Sequence, residues 1–487
     1  MAKTSVRFVC RSCGGVQPRW AGRCPDCGEW DSLEEHRVAA GADQDKTTGW
    51  RGTDAAAAPE ATPLPEVGQQ EAVRRVPTGI PEFDRVLGGG DEAEPGDAEA
   101  HATGLVPGSA VLVGGDPGIG KSTLLLQAAI EMARRGERVL YVTSEESAHQ
   151  LRRRALRLTR HSEMDGNGKD GTDASHAAEP ASLLVLADTN LARILEQARK
   201  ARPTVFVVDS IQMVYKGDLP SAPGTVAQLL SCCLELIAHA KATGCGLFLV
   251  GHVTKEGSLA GPRLLEHMVD AVLYFEGDRY HAHRVVRSIK NRFGTTLEVG
   301  LFEMTDRGLI PVDAGRGLLA DAYEPRPGSV VCPVLQGSRC LLVEVQALTA
   351  TGFLGAAKRK VSGLDSARLA MLIAVLEKHG GQKLADQDVF ASSVGGMKVA
   401  EPAADLAVAL AICGAHRNQT LPARHAAVGE IGLGGELRSV SQLDRRLLEL
   451  ARLGFDKVLA PPSRTKPPAG VEVVACKTLA DAMEAMD

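Results

Sequence analysis

The 487-residue sequence has no run of about 18 apolar residues, the length that crosses a bilayer. Behind Lys3 and Arg7 it also lacks the apolar stretch that leads a secreted chain. A soluble, cytoplasmic protein with no membrane association is therefore expected. Excess charge is missing too: 55 Lys and Arg stand against 60 Asp and Glu, a formal net charge of −5. No global field draws such a chain to nucleic acid, so any contact of that kind must come from local patches. Disulfide spacing is absent over most of the length. Of 11 cysteines, Cys232, Cys233, Cys245, Cys332, Cys340, Cys413 and Cys476 are scattered, mostly in apolar segments, and read as buried thiols. The chain is also too long for one ordinary core, and two or three folded domains are expected.

What is present begins with Gly115-Asp116-Pro117-Gly118-Ile119-Gly120-Lys121-Ser122-Thr123, a match to the Walker A pattern. Glycines let successive backbone N–H groups point inward, Lys121 reaches the β and γ phosphates of ATP, and the Ser122 hydroxyl holds Mg²⁺. The flanks fit this reading. Ala110 to Val113 is a short buried strand, and Leu124, Leu125, Ala128, Ala129 and Met132 lie at helical spacing after the loop. Strands at Val139–Thr143, Leu183–Leu186, Val205–Asp209 and Leu247–Val250 then alternate with helices, the longest over Val226–Ala242. That alternation predicts an α/β fold, a mostly parallel sheet flanked by helices. Asp209 ends a buried strand where such sheets place their ligands, making it the Walker B candidate for Mg²⁺; an aspartate capping the next turn is the alternative. Either Glu145 or Glu146, Glu145 by preference, is placed to orient the attacking water. Thr254 and Lys255 end a strand before a loop with Gly257 and Gly261, suited to sensing the γ phosphate.

Outside this core the sequence changes character. Cys10-x-x-Cys13 and Cys24-x-x-Cys27 have the spacing that presents four thiolates to Zn²⁺, with a redox pair or disulfide as the alternative; Trp20 and Trp30 are the expected core of that module. The expected organisation is a four-cysteine zinc module over residues 1–36, a flexible linker over 37–75, an ATPase core over 76–324, and an α+β domain over 325–487. Two polar inserts, about 91–103 and 162–180, read as disordered surface loops. Lys290-Asn291-Arg292-Phe293-Gly294 forms a two-cation turn, read either as a solvated hairpin tip or as an element reaching across a subunit boundary. Lys358-Arg359-Lys360 reads either as a phosphate contact or as a soluble loop.

These residues together resemble the bacterial RadA (Sms) family of DNA repair proteins over nearly the whole length. The similarity rests on the KNRFG string of Lys290 to Gly294, on Gly251 to Gly257, and on Glu401-Pro402-Ala403-Ala404-Asp405 with Val428-Gly429-Glu430. It implies a zinc ribbon, a RecA-like P-loop ATPase and a C-terminal domain similar to Lon protease. It further implies a DNA motor, a helicase that binds single-stranded and branched DNA, assembles as a hexameric ring, and drives branch migration beside the RecA recombinase. Under the resemblance Lys121 and Ser122 serve phosphates and metal, Asp209 is Walker B, Glu145 is the catalytic glutamate, and Lys255 and Lys290 to Gly294 couple ATP to DNA. Three functions are carried forward: a DNA-dependent ATPase, an ATP-gated scaffold, and a Lon-type protease. Against the last, Ala403 and Asp444 occupy the positions of the protease serine and lysine, so no dyad is present to attack a peptide bond.

Overall fold

The computed structural model describes residues 4–10, 16–17, 19–25, 30, 33–39, 75–89, 103–159, 180–251, 264–277, 282–312, 324–352 and 357–486. Most of the linker, nearly all of both polar inserts, and the segment with Thr254, Lys255, Gly257 and Gly261 lie outside them. By its contacts the chain divides into two compact units, Met1–Phe275 with Ser288–Thr295 and Glu276–Arg287 with Thr296–Asp487. The division differs from the boundary expected between residues 324 and 325. Strand His283–Asn291 pairs with Val299–Thr305, and Val299 and Leu301 pack into the same core as Val330, Ile373 and Leu410, so most of that hairpin belongs with the C-terminal unit.

The first unit is built on a parallel sheet with strands in the order Ala271–Glu276, Ala110–Gly115, Gly246–Val250, Val205–Asp209, Val139–Thr143, Leu183–Ala187. The strands from Ala110, Val139, Val205 and Gly246 are buried along their whole length, which is why each reads as an unbroken apolar run. Gly246–Val250 lies between the strand that enters the P-loop and the strand that ends in Asp209. Helices Leu191–Ala201 and Val226–Thr243 pack Ile194, Leu195, Leu229 and Leu236 against Leu112, Val142, Phe206 and Leu249. Each such fully buried side chain contributes about 1.5–3 kcal/mol. The sheet is thereby a rigid platform with its carboxyl edge holding the loops of interest.

At the N-terminus, Thr4–Cys10, Val16–Gln17 and Leu33–Ala39 form a small antiparallel sheet. The last strand runs through Ala39, past the point where the linker is expected to begin. Trp20 and Trp30 do not form the core expected of them: they are 57% and 71% exposed, while Cys24 is buried with Phe8 and Ala21 against it. A sheet this small cannot enclose an indole, and the Trp30 ring is instead faced by the Arg23 guanidinium 5.8 Å from its centroid.

In the second unit a mixed sheet runs Arg359–Ser362, Gln387–Ser393, Arg339–Thr351, Ser329–Gln336, His425–Ala427, Lys457–Ala460, Glu472–Ala475. Helices Ser366–His379 and Asp405–Arg417 bury Leu372, Ile373, Leu376, Leu406, Leu410 and Ile412 in its core. Arg359 and Lys360, read from sequence as either a phosphate contact or a soluble loop, lie on an edge strand, where cations oppose further strand pairing. Arg446 is fully buried and donates to both Glu401 oxygens at 2.8 and 2.7 Å and to the Pro333 and Ser441 carbonyls. Ala403 sits buried in a short 3₁₀ turn and Asp444 in the first turn of helix Leu443–Arg452.

Candidate nucleotide site

The buried strand Ala110–Gly115 delivers the chain to a loop that only glycine permits at its key positions. Gly115, Gly118 and Gly120 have φ of 145°, 77° and 117°, a region that costs residues with a Cβ. At Gly115 a Cβ would also stand 2.8 Å from the Phe275 Cβ. Helix Lys121–Arg134 follows at once, with Gly120 as its N-cap and no side chain capping it. Its first N–H groups are therefore directed at the loop, an arrangement that receives an anion.

Lys121 is 4% exposed, and its ammonium donates to the Gly115 and Asp116 carbonyls at 2.7 and 2.9 Å. Burial lowers its pKa to about 8, against the opposing pull of Asp209, Asp116 and Glu145. The charges of three carboxylates thus act on one buried cation. Asp209, also buried, accepts a 2.7 Å bond from the Tyr141 hydroxyl. Burial, and then the neighbouring Asp209 charge, push the Tyr141 pKa well up, so it stays a donor. The two candidate glutamates are separated by their partners. Glu145 Oε1 accepts from the Ser210 hydroxyl at 2.6 Å, beside Asp209, whereas Glu146 is turned away into an ion pair with Arg154, also at 2.6 Å.

These residues fit a magnesium triphosphate. The half-buried Ser122 hydroxyl at the start of the helix and the Asp209 carboxylate are hard oxygen donors of the kind Mg²⁺ selects, and the loop supplies glycine N–H groups and one cation. For zinc, Cys10 lies at the end of strand Thr4–Cys10 and Cys24 is buried, while Cys13 and Cys27 lie outside the described residues. No group of three or more metal-ligating side chains occurs among the described residues.

The KNRFG string is not a free tip. Lys290 and Asn291 end strand His283–Asn291, and the Lys290 ammonium donates to the Glu266 and Val269 carbonyls at 2.8 Å each, closing the end of helix Leu264–Met268. Burial, and then the neighbouring Arg292 charge, lower its pKa. Asn291 bonds the Leu87 carbonyl and receives the Phe293 N–H. Arg292 pairs with buried Asp270 at 3.3 Å while its side chain stays 56% exposed. Lys255 lies outside the described residues. Tyr141, Ser144, Ser210 and Asp270 stand in no motif, and only their partners mark them.

Residues 80–258 match the AAA domain family, and residues 8–35 match the rubredoxin metal binding domain family. The "DNA repair protein RadA" of Pseudomonas aeruginosa is 44% identical, covering 100% of both chains. That of Listeria monocytogenes is 41% identical over 99% of this chain and 98% of its own. The RadA of Bacillus subtilis is 40% identical over 99% of each. Among solved structures, the RadB recombinase aligns with 49% of this chain and 100% of its own at 20% identity and a TM-score of 0.36. No helix among the described residues is long and apolar enough to cross a membrane. An α/β chain with an AAA-family core, a zinc ribbon and near-complete coverage at this identity belongs to the RadA family of DNA repair proteins.

Proposed function

We propose that the chain is a DNA-dependent ATPase and helicase of recombinational repair, acting on single-stranded and branched DNA as a hexameric ring. In this reading it drives branch migration together with the RecA recombinase. The observation that carries it is the convergence of Lys121, Asp209 and Glu145 on one P-loop at the carboxyl edge of a buried parallel sheet. Lys121 and the loop bind the phosphates, Ser122 and Asp209 hold the magnesium that neutralises them, and Glu145 orients the attacking water. Arg292, more than half exposed although paired with Asp270, is the member of the KNRFG string placed to reach a neighbouring subunit; Lys290 is engaged by carbonyls of its own chain. Cys10, Cys13, Cys24 and Cys27 hold zinc. A Lon-like C-terminal domain serves assembly rather than proteolysis, because Ala403 and Asp444 offer neither nucleophile nor amine.

The test is the ATPase rate with and without single-stranded DNA, with unwinding of a forked duplex followed on the same preparation. DNA-stimulated turnover and unwinding are expected, both abolished by Lys121→Ala. Hydrolysis indifferent to DNA, with no unwinding, would leave an ATP-gated scaffold.

A further inference from the structure

Glu145 is solvent-exposed, on the first residues after strand Val139–Thr143. A glutamate there has three rotatable bonds, yet a water-orienting carboxylate must be held within a fraction of an ångström of its working position. The opposite side supplies one restraint. Ser210 is fully buried, and its hydroxyl donates to Glu145 Oε1 at 2.6 Å. Ser210 is itself fixed by a reciprocal clamp: its N–H donates to Ser144 Oγ at 2.9 Å, Ser144 Oγ–H donates back to the Ser210 carbonyl at 2.9 Å, and Ser144 N–H donates to the Asp209 carbonyl at 2.8 Å. Strands Val139–Thr143 and Val205–Asp209 are parallel neighbours with Thr143 opposite Asp209, so the clamp continues their pairing past the sheet edge.

We propose that Ser210 is a positioning residue for the ATPase. Through it the carboxylate that orients water is fixed relative to the carboxylate that binds metal, with Ser144 holding Ser210 in place. The inference rests on the reading of Glu145 given above. A rigid, buried donor favours one rotamer of the acid.

The experiment is steady-state ATP hydrolysis by the full-length protein with saturating single-stranded DNA, comparing Ser210→Ala and Glu145→Gln, with nucleotide binding followed by a fluorescent analogue. Ser210→Ala is expected to lower kcat about 10- to 100-fold and to leave KM for ATP and the magnesium requirement within about two-fold. Ser210→Cys, close in shape with a weaker donor, is expected between the two and serves as the deciding variant if alanine impairs folding. Unchanged kcat in Ser210→Ala or Ser210→Cys, or a loss confined to KM, overturns the proposal. Full activity in Glu145→Gln instead overturns the reading of Glu145, which separates the two failures.

Discussion

At the scale of single residues, the site is governed by one buried cation among three acids. Lys121 titrates near 8 in the folded chain rather than at its ordinary 10.5, chiefly because burial penalises its charge. With the folded value below the unfolded one, the unfolded chain binds more protons between about pH 8 and 10.5. The charged lysine therefore costs stability in full below about pH 8, and that cost is relieved as pH rises through the window. Phosphate oxygens beside the amine favour its charged form again. Nucleotide binding is thus expected to take up close to one proton at about pH 9 and almost none near pH 6. Calorimetric titration of magnesium ATP in two buffers of different protonation enthalpy measures this directly, and Lys121→Met should abolish the uptake. Proton-independent binding at about pH 9 would mean that the amine is not at the phosphates.

Among elements, the KNRFG segment shows what a motif string conceals. Its two cations were legible as a turn with two competing readings, but what holds the turn in place comes from distant sequence. Lys290 closes helix Leu264–Met268, Arg75 donates to the Phe293 carbonyl and to Gly88, and Gly294 lies against Gly88. A Cβ on Gly294 would stand 3.3 Å from the Gly88 Cα and 3.4 Å from Asn291 Nδ2, so the glycine is there for close backbone approach. Two substitutions separate architecture from function. Gly294→Ala is expected to cost about 1–3 kcal/mol by overpacking and to lower the melting temperature. Arg292→Ala removes a half-exposed partner from the buried Asp270 carboxylate, which keeps the Ala110 N–H and Lys241, so it should lose some stability but still fold and bind ATP while losing DNA stimulation. Thermal unfolding beside the DNA-stimulated ATPase rate checks both, and normal stimulation in Arg292→Ala would remove this residue from the coupling path.

For the whole molecule, legibility followed burial. The strands from Ala110, Val139, Val205 and Gly246 are buried on both faces and announced themselves as apolar runs. Strands such as Arg359–Ser362 and Glu472–Ala475 lie at sheet edges with exposed or half-buried residues, and carried no period long enough to read. Sequence already preferred Glu145 to Glu146, but the partners that set the two apart, Ser210 and Arg154, lie 65 and 8 positions away. The same contrast between local and global applies to charge. With a net charge of −5, the chain as a whole repels a polyanion, so any affinity for single-stranded DNA must come from a limited set of phosphate contacts. Each such contact releases condensed counterions, and the logarithm of the binding constant should fall against the logarithm of salt by about 0.7 per phosphate neutralised. If Arg292 acts on the nucleotide of a neighbouring subunit, as proposed, Arg292→Ala should leave that slope unchanged while DNA stimulation disappears. If it grips DNA instead, the slope should shrink by about 0.7 along with the affinity. Fluorescence anisotropy of a labelled oligonucleotide across a salt series, on wild type and variant, distinguishes a cation facing ATP from one facing the strand.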